Sequence, residues 1–267
     1  MDADRPSDWA GPVLELPTGP QRPNPARIYD YWLGGKDNFG VDREVAEQVE
    51  RVAPWVVAGA RANRSFVQDS VEGFARAGVD QFIDVGSGLP TDVNLHEIAQ
   101  RVNPQARVVY VDHDPVVITH ARAWLETDDR VLVLPGDARR PELIIAAVKE
   151  SGRLDFGRPV AVLFAAVLHY LVGDDDPAGT VAAFREVMTP GSFVLITHVG
   201  VDGDDRAEAT AAAVSLYAEA VAPCLARSTG EVAGLFEGFQ VIPPGLQPLR
   251  YRGERTAVLA GRGRLDA

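Results

Sequence analysis

From Gln81 onward the chain alternates short, almost purely apolar runs with segments of helix length, and this alternation limits the fold more than any other feature. The runs are QFIDVG (81–86), ARVVYVD (106–112), RVLVLPGD (130–137), PVAVLFAAV (159–167) and GSFVLITHV (191–199). Valine, isoleucine and leucine fill them without the polar alternate positions of a half-exposed strand, so each run expects cover on both faces. Helix signals stand between them. Thr91 precedes DVNLHEIAQRV, Asp114-Pro115 precedes VVITHARAWL, Pro141 precedes ELIIAAVKE, and Pro177 precedes AGTVAAFREVM. Proline suits a first helical turn, where the N–H groups have no partner inside the helix. The pattern predicts an α/β fold with a mostly parallel sheet and helices on both faces. Ligands of such sheets bind beyond the carboxyl ends of the strands, so the residues that follow each run are the candidate site.

The flanks divide the rest. Residues 1–25 hold six prolines and little periodicity, the signature of a flexible arm. A short helix over 26–33 is expected to stop at Gly34-Gly35, and VDREVAEQVERV to form a second. A third, with Pro54 in its first turn, runs through WVVAGARANRSFVQDSVEGFARA to Gly78. Beyond residue 203, DDRAEATAAAVSLYAEAVAPCLA reads as one long Ala-rich helix, followed by a short helix near EVAGLF. FQVI and RTAVLAG are the expected closing strands, which makes seven, and the Gly-Arg tail from Gly261 is expected to fray. The organisation is thus an arm (1–25), a helical cap (26–78) and a sheet domain (79–267).

Composition removes several classes of function. The 267 residues are 46% hydrophobic and 24% charged, as in soluble globular proteins. No apolar run reaches the roughly 18 residues of a membrane helix, and the amino terminus lacks the basic-then-apolar pattern of a secretory leader. A cytoplasmic protein is the expectation. A formal charge of −12 opposes a nucleic-acid partner, although Arg43, Arg51, Arg61 and Arg64 form a local basic region. Cys224 is the single cysteine, which excludes an intrachain disulfide and a thiolate metal cluster. His113, Asp114 and His120 lie on a strand end and a helix, without metal-ligand spacing, so no metal site is expected. No G-x-S-x-G is present.

Three strand ends carry matching chemistry. DVGSGLPTD after the first strand offers Gly86 and Gly88 for a tight turn and close ligand approach, but Thr91 stands where a dinucleotide fold wants its third glycine. Asp112 closes the second strand and can accept hydrogen bonds from both ribose hydroxyls. Asp114 is better read as the cap of the next helix. Asp137 at the third tip can take an exocyclic adenine amine, with the Ala138 N–H for a ring nitrogen; a helix-capping role is its alternative. A glycine turn, a ribose acid and an adenine acid without phosphate-binding equipment point to a nucleoside cofactor, S-adenosylmethionine.

FIDVGSGLPT, VVYVDHDP, GDAR and AVLFAAVLHYL resemble the successive motifs of class I S-adenosylmethionine-dependent methyltransferases. RIYDYWLGGKDNF with ARANRSF is similar to one family of these, the S-adenosyl methyltransferases of actinomycetes, long described only as a domain of unknown function. The resemblance covers roughly residues 24–260. It implies a Rossmann-like fold of seven strands with an N-terminal helical lid, and S-adenosylmethionine as cofactor with S-adenosylhomocysteine as product. On its motifs, Asp84, Gly86, Ser87 and Gly88, then Asp112 and His113, Asp137 and Ala138, and Phe164 and Ala165 would contact the cofactor. The family supplies no agreed acceptor. The N/D-P-P-Y of nucleic-acid amino methylation is missing, which leans toward a small organic molecule.

The opening stretch reads as a lid. Tyr29, Tyr31 and Trp32 would give apolar cover with polar tips, and Gly34 and Gly35 a close backbone approach. Asp30 would take the amino group of the methionine moiety and Arg61 its carboxylate, with Lys36, Asp37, Asn38 and Asn63 nearby. Plain core packing of the aromatics is the alternative. His169 and His198 follow the fourth strand and end the fifth, where a general base would serve an acceptor; structural histidines are again the alternative. A sensor of the same fold that binds the cofactor and transfers nothing is the rival function, and an NAD-dependent oxidoreductase is weakened by Thr91.

Overall fold

The computed structural model describes Gly19, residues 21–201 and residues 206–266. Most of the expected arm and residues 202–205 lie outside the described residues. The sheet order is β3–β2–β1–β4–β5–β8–β6, with β7 also paired to β8. The strands β1 (Gln81–Val85), β2 (Arg107–Asp112), β3 (Val131–Pro135), β4 (Ala161–Ala165) and β5 (Phe193–Val199) are mutually parallel. β8 (Glu254–Arg264) runs antiparallel to β5 and carries β6 (Gln240–Val241) and β7 (Gln247–Tyr251) on its far edge. The chain builds outward from β1 to β3, then returns to β4 on the other side of β1. That reversal opens a crevice between the ends of β1 and β4.

Each face of the sheet has its own core. Helices α3 (Val56–Arg76), α4 (Leu95–Val102) and α5 (Pro115–Leu125) cover one face with Val67, Val71, Phe74, Leu95, Ile98 and Ala121. Helices α6 (Pro141–Ser151), α7 (Pro177–Val187) and α9 (Thr229–Gly234) cover the other with Ile144, Val148, Val181, Phe184 and Val232. Asp114 caps α5, its Oδ1 accepting from Val116 N at 2.8 Å. The cap of α4 is Asn94 rather than Thr91, in a capping box with Glu97.

A third, smaller core joins α1 (Pro25–Leu33), α2 (Gly40–Val52) and α8 (Ala207–Ala220) through Ile28, Val45, Ala46, Val49, Ala213 and Tyr217. Of the expected helical cap, α3 therefore packs with the sheet, while α1 and α2 pack with α8.

Three expectations at the carboxyl-terminal end need correction. The sheet has eight strands, because QPLRY forms β7. Its glutamine, proline and arginine hid it, and proline is tolerated on such an edge. The tail from Gly261 is ordered in β8, where Gly261 pairs with Ile196 and Gly263 with Val194. These glycines serve close packing: a Cβ would stand 2.9 Å from the Phe236 ring at Gly261 and 2.8 Å from Phe239 at Gly263. The Ala-rich helix stops at Ala220 instead of running through Cys224. Pro223 disfavours helical backbone at Ala222, and the following residues run back until Arg227 bridges Gly200 beside β5. Among the described residues no helix is long and apolar enough to cross a membrane.

Candidate active site

A cavity of about 720 Å³ lies at the carboxyl ends of β1 to β4, beneath α1 and the end of α8. The turn after β1 is anchored by the N–H groups of Gly86 and Ser87, which donate to Val111 O at 2.8 and 3.1 Å. Gly88 follows with φ +66°, and nothing lies within 4 Å of where its Cβ would stand, so a ligand can reach the backbone. The Gly88 N–H donates to Asp112 Oδ2 at 2.9 Å, and the Asp114 N–H to Asp112 Oδ1 at 3.0 Å. Each oxygen of Asp112 thus keeps a lone pair for a further donor, the arrangement two adjacent hydroxyls need. Burial pushes the Asp112 carboxyl up, opposed by His113 and the two N–H donors.

Asp84, 5% exposed, is a buried acid of the cavity lining. Burial raises its pKa to about 7, with Arg64 opposing and Asp112 adding to the rise. Arg64 donates to Thr91 Oγ1 and Val93 O. Asn63 Nδ2 donates to the Tyr29 hydroxyl at 2.8 Å, and that hydroxyl donates to Ala60 O at 3.1 Å. In the lining, two buried side-chain oxygens, Asn63 Oδ1 and Ser87 Oγ, and the Arg64 Nε–H have no partner among the described residues. At the β3 end, Asp137 holds Arg139 at 2.6 Å. Burial would raise Asp137, but the side chain and N–H of Arg139 outweigh it and keep its carboxyl below the ordinary value. His113, on the rim, and Ala138 also line the cavity.

Of the residues named from sequence, Asp84, Gly86, Ser87, Gly88, Asp112, His113, Asp137, Ala138, Ala165, Tyr29, Asp30 and Asn63 come together here. Phe164 sits behind the wall, fully buried and edge-to-face with Phe184 at 5.6 Å. Arg61 is exposed on α3 and outside the lining, where its neighbour Arg64 stands instead. Gly34 and Asn38 are also outside the lining. Asp30 is occupied by its own loop: Oδ2 accepts from Asp37 N at 2.9 Å and Asn38 Nδ2 at 2.8 Å. Burial raises Asp30, with those two bonds opposing. Tyr31 and Trp32 face the α1–α2–α8 core, Trp32 lying 6.3 Å from the Tyr217 ring. The signature stretch thus splits, with Tyr29, Asp30 and Leu33 on the cavity and the other aromatics in packing.

The two histidines are outside the lining as well. His198 is fully buried; its Nδ1 lies 2.7 Å from Val199 O and its Nε2 2.8 Å from Arg227 Nη1. A carbonyl only accepts and a guanidinium only donates, so the ring is neutral with its proton on Nδ1. Burial lowers its pKa to about 4. The His169 ring lies tilted against Tyr170, centroids 4.3 Å apart, and meets His198 edge-on at 5.6 Å, and burial holds its pKa well below the usual value. Arg227 also donates to Leu168 O at 3.0 Å and Leu171 O at 2.7 Å, clamping the turn after β4.

The sequence alone does not point to Asn24, Tyr170 or the 220–223 segment, and it offers Arg64 only as part of a basic region. Arg64 and Tyr170 each adjoin a residue that the sequence does single out, Asn63 and His169. For 220–223 no local signal exists, because α8 reaches the cavity only through its packing on α1 and α2.

A parallel sheet in this order, closed by an antiparallel β8 and carrying a glycine turn and a buried strand-end acid at its reversal point, is the class I methyltransferase architecture. The family model described as S-adenosyl methyltransferase matches residues 17–261, and the chain belongs to that family. A candidate methyltransferase from Thermobifida fusca is 36% identical, with 98% of this chain and 100% of that one covered, at a TM-score of 0.85. A DUF574 family protein from Streptomyces avermitilis is 32% identical over 91% of this chain and 98% of that one, at 0.84. An O-methyltransferase family protein from Burkholderia thailandensis, 18% identical over 82% of this chain and 63% of that one, shares the fold at 0.50. No curated protein matches. The family's cofactor is S-adenosylmethionine. The cavity fits it, with open space above Gly88, spare lone pairs on Asp112, and unpartnered acceptors at Asn63 and Ser87.

Proposed function

We propose that this protein transfers a methyl group from S-adenosylmethionine to a small organic acceptor. The observation that carries the reading is Asp112: buried, at a strand end, with one N–H on each oxygen and one lone pair left on each for a ribose diol. Asp137 and Ala138 would hold the base, and Gly88 would let the backbone meet the sugar. Asp84 and the Asn63 carbonyl would accept from the α-ammonium, and Arg64 would face the carboxylate. Arg64 takes the part first given to Arg61, and Asp84 that given to Asp30, because Arg61 is exposed and Asp30 is bound to its loop. When bound, the cofactor supplies an electrophilic methyl group on a sulfonium sulfur.

The chain's own contribution is alignment and exclusion of water. Tyr29 and Tyr170 with Leu33, Leu171 and Val172 give the otherwise charge-rich cavity one apolar wall, suited to the carbon frame of a small organic acceptor. Calorimetry should show binding of S-adenosylmethionine and S-adenosylhomocysteine and none of NAD, and labelled methyl should pass to a component of a small-molecule extract. Binding of NAD alone would overturn the reading.

A sensor that binds the cofactor without transfer is favoured by one observation. His113 is the sole histidine in the lining among the described residues, so neither His169 nor His198 is in place as a base. Cofactor binding without label transfer to any extract would select it.

A further inference from the structure

Three elements meet at Asn24, a residue to which the methyl-transfer reading gives no part. Its Oδ1 caps α1, accepting from Arg27 N at 3.1 Å. Its backbone N–H donates to Asp42 Oδ1 in α2 at 2.9 Å. Its Nδ2 crosses to the sheet domain and donates to Asp114 Oδ2 at the start of α5. Asp114 in turn donates its N–H to Asp112 Oδ1, the acid read above as the ribose site. α1 spans the cavity between this contact and Tyr29, whose hydroxyl is held by Ala60 and Asn63 of α3. Asn24, Pro25, Ala26, Tyr29, Asp30 and Leu33 form its inner face.

We propose that Asn24 is a positioning residue, a latch that fastens α1 over the cofactor by the hydrogen bond from its amide to Asp114 and so couples closure of the cap to the acid that holds the ribose. This rests on the reading of Asp112 as that acid. On this proposal release requires α1 to lift, and the hydrogen bond from the Asn24 amide to Asp114 opposes lifting at the β2 end. Breaking it should speed release and leave the chemistry of the strand ends unchanged.

Capping and latching can be separated by side-chain chemistry. Asn24→Asp keeps an Oδ1 for the α1 cap, because Asn and Asp cap almost equally well. It removes the Nδ2 donor and sets one carboxylate against another. Asp114→Asn keeps the α5 cap and supplies an amide. The double variant N24D/D114N restores one donor and one acceptor, with the direction of the bond reversed. The measurement is S-adenosylhomocysteine affinity by calorimetry and its dissociation rate by stopped flow, with thermal unfolding as a check on folding. Asn24→Asp should weaken binding about tenfold, chiefly through faster release, and the double variant should recover most of that loss, as a direct pair interaction requires. Unchanged affinity in Asn24→Asp overturns the latch, as does a loss that the double variant fails to recover. Failure of the unaltered protein to bind S-adenosylhomocysteine overturns the reading of the cavity itself and the latch with it.

Discussion

Arg27 Nε and Asp42 Oδ2 meet at 2.7 Å with side-chain exposures of 3% and 0%, which makes this the buried ion pair that fastens α1 to α2. Asp42 does more than balance a charge. The same Oδ2 accepts from Phe39 N at 2.8 Å, and Oδ1 accepts from Asn24 N at 2.9 Å. Removing the carboxylate would leave the Arg27 guanidinium buried without its counter-ion and two N–H groups without acceptors. Losses of this kind run to about 3–5 kcal/mol. Asp42→Ala should therefore lower unfolding stability by about that amount in urea titration, and S-adenosylhomocysteine affinity should fall with it because α1 loses its footing.

Gly34 and Gly35 are adjacent and needed for different reasons. Gly34 ends α1 at φ +88°, and its substitution to Ala meets open space, so the cost is only that of left-handed backbone, about 1–2 kcal/mol. At Gly35 a Cβ would stand 1.8 Å from Asp30 Oδ1. Gly35→Ala must expel the Asp30 carboxylate and free the Asp37 N–H and Asn38 amide that it holds. Amide hydrogen exchange at residues 36–38 should therefore quicken in Gly35→Ala and stay nearly unchanged in Gly34→Ala.

Much of this architecture is legible from residue order, and the illegible part has physical causes. Strands β1 to β5 announce themselves because helices cover both of their faces, fully or, for β3, in part, which leaves runs rich in Val, Ile and Leu. Asp112 and Gly88 are legible as candidates because ligands of such sheets bind beyond the carboxyl ends of the strands, and both line the cavity there. β7 lies on an edge and carries no such pattern. Asp30 shows a different limit. Its charge and its place among aromatics suggest a ligand, and it does line the cavity, but its Oδ2 is bonded to its own loop by residues whose approach the local sequence does not announce. Arg61 and Arg64 illustrate a third limit: three residues apart on α3, they stand only about 60° from each other around the helix, and the local sequence does not fix which arginine faces the cavity.

His198 offers a test of its placement as a structural group. Its folded pKa is depressed to about 4 by burial, below the ordinary value of 6.5 that it regains on unfolding. Between these values the unfolded chain binds the proton and the folded one does not, so stability is present above about pH 6.5 and is lost as pH falls toward 4. The loss amounts to about 3 kcal/mol over that window. His198→Gln should flatten the acid limb of the stability profile. It should leave S-adenosylhomocysteine affinity at neutral pH close to that of the unaltered protein, because the ring does not line the cavity. A pH-independent loss of affinity would place His198 among the binding groups instead.

Asp84 titrates with the opposite sign. Its folded pKa is raised to about 7, so from the unfolded value of 3.8 up to 7 the folded chain holds a proton that the unfolded chain has released. Its contribution to stability therefore falls as pH rises through that window and levels off above it. Asp84→Asn removes the cost of burying the charge. Relative to the unaltered protein, it should gain about 2–3 kcal/mol between pH 5 and pH 8 in denaturant titrations. Ligand binding should move the other way. An ionised Asp84 attracts the α-ammonium, so S-adenosylhomocysteine affinity of the unaltered protein should rise as pH passes through about 7. Asp84→Asn should lose that rise and bind about tenfold more weakly at pH 8, the effect of one charge-assisted hydrogen bond. A variant that gains stability and keeps full affinity at pH 8 would show the carboxylate to be buried for a purpose other than the cofactor's amino group.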